Sequence, residues 1–313
     1  MYKRLELHNH TTESDAILEI DELLAIMISE NVAGFGLTDH NTISGHQKMQ
    51  HAMTDYLKKV DSEEKSLLQC IYGMEYTTYY GHILCLNLHE YVPWENINPH
   101  KPELLFDAAR AKGALVGIAH PYAFGAPFSK GCRFEMTVTN YESVDFIEIF
   151  NNAETLSQNK KALELWEGLV LQGEKLTATA GMDLHRHTPM LDKFATFIQG
   201  EVAGNIATEL EHAIYSQKTW VSKGIILETT VDESKEFLTF NLIQTEKTST
   251  FDLSTEYKVV LKTEKGIHEL SSSEKFPIEN LGNAQYVIPK LYSQTTEVEN
   301  LVCISPVVMI ENL

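Results

Sequence analysis

The sequence predicts an α/β barrel with one catalytic mouth and a smaller all-β domain attached at its C-terminal end. Three observations lead there. Strand-like and helix-like segments alternate from residue 1 to about residue 222, His/Asp/Glu clusters stand at the ends of successive apolar runs, and from about Gly224 the pattern turns to strands alone. In (β/α) barrels the C-terminal strand ends carry the active site, so ligand-type residues repeated there converge on one cavity.

Taken in order, residues 5–7 read as a strand that delivers His8-Asn9-His10. Side chains two apart on a strand share a face, so both imidazoles offer themselves to one cavity. Residues 20–28 place apolar side chains at helical spacing, and Gly34 is expected to close that helix. The strand 35–38 delivers Asp39-His40. These neighbours cannot share a face, so Asp39 is read as fixing the loop or another ligand. A helix over 46–60 precedes a strand over 67–72 and then Gly73-Met74-Glu75, and His82 opens the apolar run 83–86. Tyr76 to Tyr80 reads as packing or as a cleft wall.

A helix over 102–112 ends at Gly113, and the strand 114–119 then delivers His120. The strand 146–150 ends in Asn151-Asn152, where Asn151 either stops the strand or hydrogen-bonds substrate or a ligand. A helix over 160–171 precedes the strand 176–180 and a second pair two apart, Asp183 and His185. Segments 225–230, 237–243, 257–262, 286–289 and 301–310 are β-rich with polar connections, which predicts a small β-sandwich. The expected division is therefore 1–223 and 224–313. The second part holds His268 but no cluster of ligand types, and no chemistry is assigned to it.

Composition limits the partners. The chain has 313 residues, 43% hydrophobic and 22% charged, long enough for a large domain plus a small one. A net charge of −19 disfavours polymeric nucleic acid, whose phosphates require a basic face. No apolar stretch reaches the roughly 18 residues of a membrane helix, and Met1-Tyr2-Lys3-Arg4 leads into a strand rather than a signal core. Cys70, Cys85, Cys132 and Cys303 show no CxxC spacing, which fits buried free thiols in a reducing cytoplasm.

The motifs His8-Asn9-His10-Thr11-Thr12-Glu13-Ser14-Asp15, Leu37-Thr38-Asp39-His40-Asn41-Thr42, Gly73-Met74-Glu75, Gly81-His82-Ile83-Leu84, His120-Pro121 and Gly181-Met182-Asp183-Leu184-His185 occur in one order. In that order the chain, over roughly residues 1–222, resembles the PHP (polymerase and histidinol phosphatase) domain family. An aspartate at position 15 matches the bacterial stand-alone phosphoesterase branch, whereas some other branches carry histidine there. The resemblance implies a distorted (β/α)7 barrel with two or three divalent metals. It implies that His8, His10, Glu75 and Asp183 hold one metal, and that Glu75 bridges to a second taking His82 and His120. Asp15, His40 and His185 would form a third site.

A mixed imidazole and carboxylate set suits zinc, manganese or iron and disfavours an all-oxygen calcium cage. Two metals about 3.5–4 Å apart can share a hydroxide and lower its pKa toward neutrality, giving a nucleophile at physiological pH. The expected activity is hydrolysis of small phosphate esters, monoester or nucleotide-type, by that hydroxide, with Glu75, Asp183 and Arg186 as catalytic residues. Arg186 would clamp phosphoryl oxygens, and Lys130 and Arg133 are the other cations weighed for that role. The rivals are a 3′-5′ exonuclease on single-stranded nucleic acid and a non-catalytic, metal-stabilised binding module. An isolated histidine near a strand end is ordinarily a surface or hydrogen-bonded residue, and His46, His51, His89, His100 and His212 are read that way. His187 is read either as an exposed loop residue or as reaching the mouth.

Overall fold

The computed structural model describes residues 1–59, 68–95, 97–245 and 249–310. Val60 and Leu67, at the ends of an expected helix and strand, lie outside the described residues.

The fold is mixed α/β around a large sheet that contains parallel pairs. β1 (Tyr2–Glu6) pairs parallel with β2 (Gly34–Leu37), and β2 with β3 (Gln69–Thr78). Helices α1 (Ile20–Ser29) and α2 (Gly45–Lys59) connect them, burying Leu23, Leu24, Met27, Met49 and Met53 against Phe35 and Leu37. Gly34 does not close α1. The helix stops at Ser29, Asn31 takes the left-handed conformation at φ 54°, and the Val32 N–H reaches the Met27 carbonyl at 3.2 Å. After glycine, asparagine is the residue that takes that conformation at helix ends. Gly34 instead opens β2, where a Cβ would stand 2.6 Å from Ile206 Cγ2.

β4 (Gly81–Leu86) folds back antiparallel on β3 and on β5 (Leu115–Ile118), which follows α3 (Glu103–Arg110). β6 (Phe146–Asn151), α4 (Leu156–Val170) and β7 (Thr177–Gly181) continue with parallel pairing. β8 (Ala195–Gln199), α5 (Ile206–Tyr215) and β9 (Thr219–Ser222) complete this part, with β8 antiparallel to both β1 and β9. Leu5, Leu7, Ile71, Leu84, Leu86, Leu115, Phe146 and Ile198 form an apolar interior, and α5 adds Ile206, Leu210 and Ile214 to it.

Among the described residues β7 and β8 share no backbone ladder. Threonine side chains join them: Thr196 Oγ1 accepts from the Ala180 N–H and donates to the Ala180 carbonyl, both at 2.9 Å. Thr219 Oγ1 of β9 likewise donates to the Ala178 carbonyl at 2.7 Å. The expected barrel is therefore not a continuous ring of strand pairing.

The C-terminal residues build β10 (Ile225–Val231), β11 (Phe237–Gln244), β12 (Lys258–Thr263), β13 (Ile267–Ser271), β14 (Phe276–Pro277), β15 (Tyr286–Tyr292), β16 (Leu301–Ile304) and β17 (Val308–Met309). β10, β11 and β14 form their own three-stranded sheet. The order β13-β12-β15-β16 instead extends the large sheet, because β16 pairs with β9 at Cys303↔Ser222 and Ile304↔Val221. Ile225, Leu227, Leu238, Val259, Leu261, Leu291 and Val302 pack between the two layers. Buried Glu167 of α4 accepts from Lys262 Nζ at 2.5 Å and from Lys290 Nζ at 2.6 Å, tying α4 to β12 and β15.

Candidate metal centre

The strands β1 and β7 end at Glu6 and Gly181, just before the residues that carry the chemistry. The alternation nevertheless persists beyond them. Asn9 and Leu184 form an isolated parallel bridge, with the His10 N–H bonded to the Leu184 carbonyl at 3.0 Å and the Leu184 N–H to the His8 carbonyl at 3.3 Å. His8 and His10 flank one bridge residue, Asp183 and His185 the other, so both pairs turn toward the same cluster. Asp183 itself sits at φ 52°. Asp39 accepts from the Thr11 N–H at 2.7 Å and from the hydroxyls of Thr11 at 2.9 Å and Ser14 at 2.7 Å, which fixes the loop that carries Asp15.

Glu75 lies inside β3, which runs on to Thr78, rather than beyond the strand as the expected boundary at Tyr72 required. Its carboxylate is the geometric centre. Oε2 stands 3.1 Å from His8 Nε2, 3.4 Å from His10 Nε2 and 3.0 Å from His40 Nδ1. Oε1 stands 2.9 Å from His82 Nδ1 and 3.0 Å from His120 Nε2. His82 reaches the mouth from the start of its strand, because β4 runs antiparallel to β3 and begins where β3 ends. Asp183 Oδ1 is 3.0 Å from His10 Nε2, and Asp15 Oδ1 is 3.1 Å from His185 Nε2 and 3.5 Å from His40 Nε2.

Three ligand groups follow, each with donor atoms within 4.8 Å of one another: His8, His10, Glu75 and Asp183; His10, Asp15, His40 and His185; and His40, Glu75 and His82. His120 touches the Glu75 oxygen that faces His82 but is not part of the third group. The donors fit a divalent metal. Buried His8 Nε2, both His10 nitrogens, Glu75 Oε2, Asp183 Oδ1 and His120 Nδ1 have no hydrogen-bond partner, and such atoms are costly unless something binds them. Burial opposes ionisation of Glu75, yet His8, His82, His120 and His40 hold its carboxyl well below the usual range. Burial also opposes the charge on His82, and Glu75 with Cys132 raises it to about 10. The cluster thus sets imidazole nitrogens against carboxylate oxygens around the buried Glu75.

A family model for the PHP domain matches residues 6–167. The chain belongs to the PHP domain family. Its fold is similar to the crystal structure of a two-domain protein from Bacteroides vulgatus that contains a predicted PHP-like metal-dependent phosphoesterase, at a TM-score of 0.55 and 13% identity. That likeness covers 98% of this chain and 95% of the other. A candidate metal-dependent phosphoesterase from Bifidobacterium adolescentis matches at a TM-score of 0.42 and 13% identity over 59% of this chain and 88% of its own. An amidohydrolase from Chromobacterium violaceum with bound sulfate and no metal matches at 0.41 and 15%, over 67% and 96%. No curated protein matches this chain.

Beside the PHP centre, the cations weighed for phosphate lie differently. Arg186 is exposed next to His185 and forms no ion pair among the described residues. Arg133 Nε donates to the Ala123 carbonyl at 3.2 Å, and Lys130 lies 5.5 Å from the centre of the Tyr79 ring. His46 is satisfied structurally, 2.8 Å from the Gly73 carbonyl, while His187 is exposed and outside the ligand groups. Tyr76 is packing, its hydroxyl bonded to the Val92 carbonyl at 3.1 Å, whereas Tyr79 is exposed.

Cys85 and Cys303 are buried as expected, but Cys70 and Cys132 are only partly buried, and Cys132 Sγ lies 2.7 Å from Ser129 Oγ. Sequence reasoning also passed over Glu148, a buried acid inside an apolar strand; that position was the available signal. A cavity of about 740 Å³ lies away from the centre, lined by Tyr2, Arg4, Val32, Phe197 and Ile243. It holds none of the ligand groups, so donor chemistry rather than volume selects the site.

Proposed function

We propose that the chain hydrolyses small phosphate esters in a metal-dependent reaction. The observation that supports this most is Glu75, whose two oxygens face different imidazoles, His8, His10 and His40 on one side and His82 and His120 on the other. His8, His10, Glu75 and Asp183 would hold one ion, Glu75 with His82 and His120 a second, and Asp15, His40 and His185 a third, with zinc, manganese or iron as the fitting metals. When bound, such ions polarise phosphoryl oxygens and generate a nucleophile from water.

The chain's own residues supply the rest. Glu75 and Asp183 place buried negative charge among the imidazoles. Arg186, exposed next to His185 and without an ion pair among the described residues, is assigned to the phosphoryl oxygens. The net charge of −19 favours small substrates over polymers. The compartment we assign is the cytoplasm, on the absence of CxxC spacing and the free cysteines; no described helix is long and apolar enough to cross a membrane.

The test is chelation and reconstitution. A chelator should stop turnover of small phosphate esters, manganese or zinc should restore it, and inorganic phosphate should compete with substrate. Arg186→Ala should lower kcat/KM roughly 10- to 150-fold, the scale of a hydrogen bond to a charged group, while Lys130→Ala and Arg133→Ala serve as comparisons. Turnover that survives complete metal removal overturns the reading. Activity confined to single-stranded DNA replaces it with the exonuclease.

A further inference from the structure

We infer that Glu148 is a positioning residue that orients three candidate ligands at once, so that the centre is assembled from behind by one buried carboxylate. The inference rests on the metal-centre reading above.

The placement begins in the backbone. β6 pairs Glu148 with Thr179 and then Phe150 with Ala180, so one extra residue is accommodated on β6 at this point. Such a bulge re-aims the side chain beside it. Glu148 is 1% exposed and forms no ion pair with any Lys or Arg among the described residues. Its Oε1 lies 3.0 Å from His8 Nδ1. Its Oε2 accepts from the His120 backbone N–H at 3.0 Å and from Asn151 Nδ2 at 3.1 Å. The same Asn151 nitrogen lies 3.1 Å from Asp183 Oδ2.

Each contact constrains one ligand. A carboxylate oxygen accepts from an imidazole N–H, so this contact calls for the His8 proton on Nδ1 and turns Nε2 toward the cluster. His120 sits at φ 24°, a strained conformation, and the bond from its N–H to Glu148 restrains it there. Asn151 is oriented in turn, since its Oδ1 accepts from the Ala153 N–H at 2.9 Å, which turns Nδ2 toward Glu148 and Asp183. Gly181 leaves the space: a Cβ there would meet His8 Cβ at 2.6 Å and Glu148 Oε1 at 2.7 Å. A buried acid that merely filled the interior would not need a glycine cut away beside it and a ligand's backbone bent onto it.

The test separates positioning from folding. Metal-free wild type, Glu148→Ala and Glu148→Gln are titrated with manganese against a competing chelator, with circular dichroism and the metal-free melting temperature measured alongside. Glu148→Ala should bind manganese roughly 10- to 100-fold more weakly while keeping its secondary structure. Glu148→Gln should lie between, because its carbonyl can still accept from His8 while its amide faces the His120 N–H, donor against donor. It also carries the test if the alanine variant does not fold. A folded variant with wild-type manganese affinity overturns the inference and leaves the centre standing. A wild-type chain that binds no manganese, zinc or iron overturns both.

Discussion

Glu75 shows how one side chain can define a site. Its Oε1 and Oε2 divide His82 and His120 from His8, His10 and His40. Glu75→Ala should therefore abolish hydrolysis and empty two sites, whereas Asp15→Ala should chiefly affect the third, as elemental analysis of the purified variants would read. Equal metal content and turnover in both variants would break the assignment. A second residue-scale prediction concerns Glu6, on β1 and outside the ligand groups. Burial pushes its carboxyl up from 4.5 to about 7, against the pull of the Arg4 guanidinium 2.8 Å away. Between those values the folded chain binds the proton more tightly than the unfolded one. The favourable contribution is full below pH 4.5 and is lost as pH rises through 7. The stability of wild type minus that of Glu6→Gln should fall by about 3 kcal/mol across this window, measured by urea unfolding at both ends. A flat difference would mean that Arg4 keeps Glu6 ionised throughout.

At the scale of elements, the legible features were those whose local chemistry is unambiguous. The start of α4 was not among them: expected at residue 160, the helix begins at Leu156, behind a capping box in which Thr155 accepts from the Gln158 N–H and Gln158 Oε1 accepts from the Thr155 N–H. Thr155→Ala should cost about 1 kcal/mol in urea unfolding and leave metal stoichiometry unchanged. A loss of metal would show instead that the cap also anchors the Asn159 contacts to Asn151. Gly117 is a second feature the sequence did not show, since nothing local marks it. A Cβ there would meet the Phe146 ring at 2.0 Å, so Gly117→Ala should destabilise by about 1–3 kcal/mol or more. The pairs His8/His10 and Asp183/His185 were readable from their spacing. That β4 runs antiparallel, and so offers His82 from its start, was not, because pairing direction depends on partners distant in sequence.

For the whole molecule, the strand pairing crosses the proposed division at residue 223, through β9 and β16. A chain ending at Lys223 would leave the β9 edge bare, strip Lys262 and Lys290 from Glu167 and expose the apolar face around Phe197 and Trp220. Such a chain should be poorly soluble, and any soluble fraction should keep its metals, because every candidate ligand lies before residue 186. Loss of metal from a folded truncation, read by elemental analysis, would give the C-terminal residues a part in the centre.

The ordered His, Asp and Glu motifs determined by themselves the family and the donors to examine, because a metal site needs particular side-chain types and strand ends present them at short, regular spacing. Only the tertiary structure decided which donors meet. The division of Glu75 between its neighbours, the bridge that carries the alternation past β1 and β7, the support of Glu148 behind His8 and the joining of β7 to β8 through Thr196 all depend on residues far apart in the chain. Local periodicity shows which way a side chain faces from its own strand. Which strand lies opposite is set by packing the whole interior.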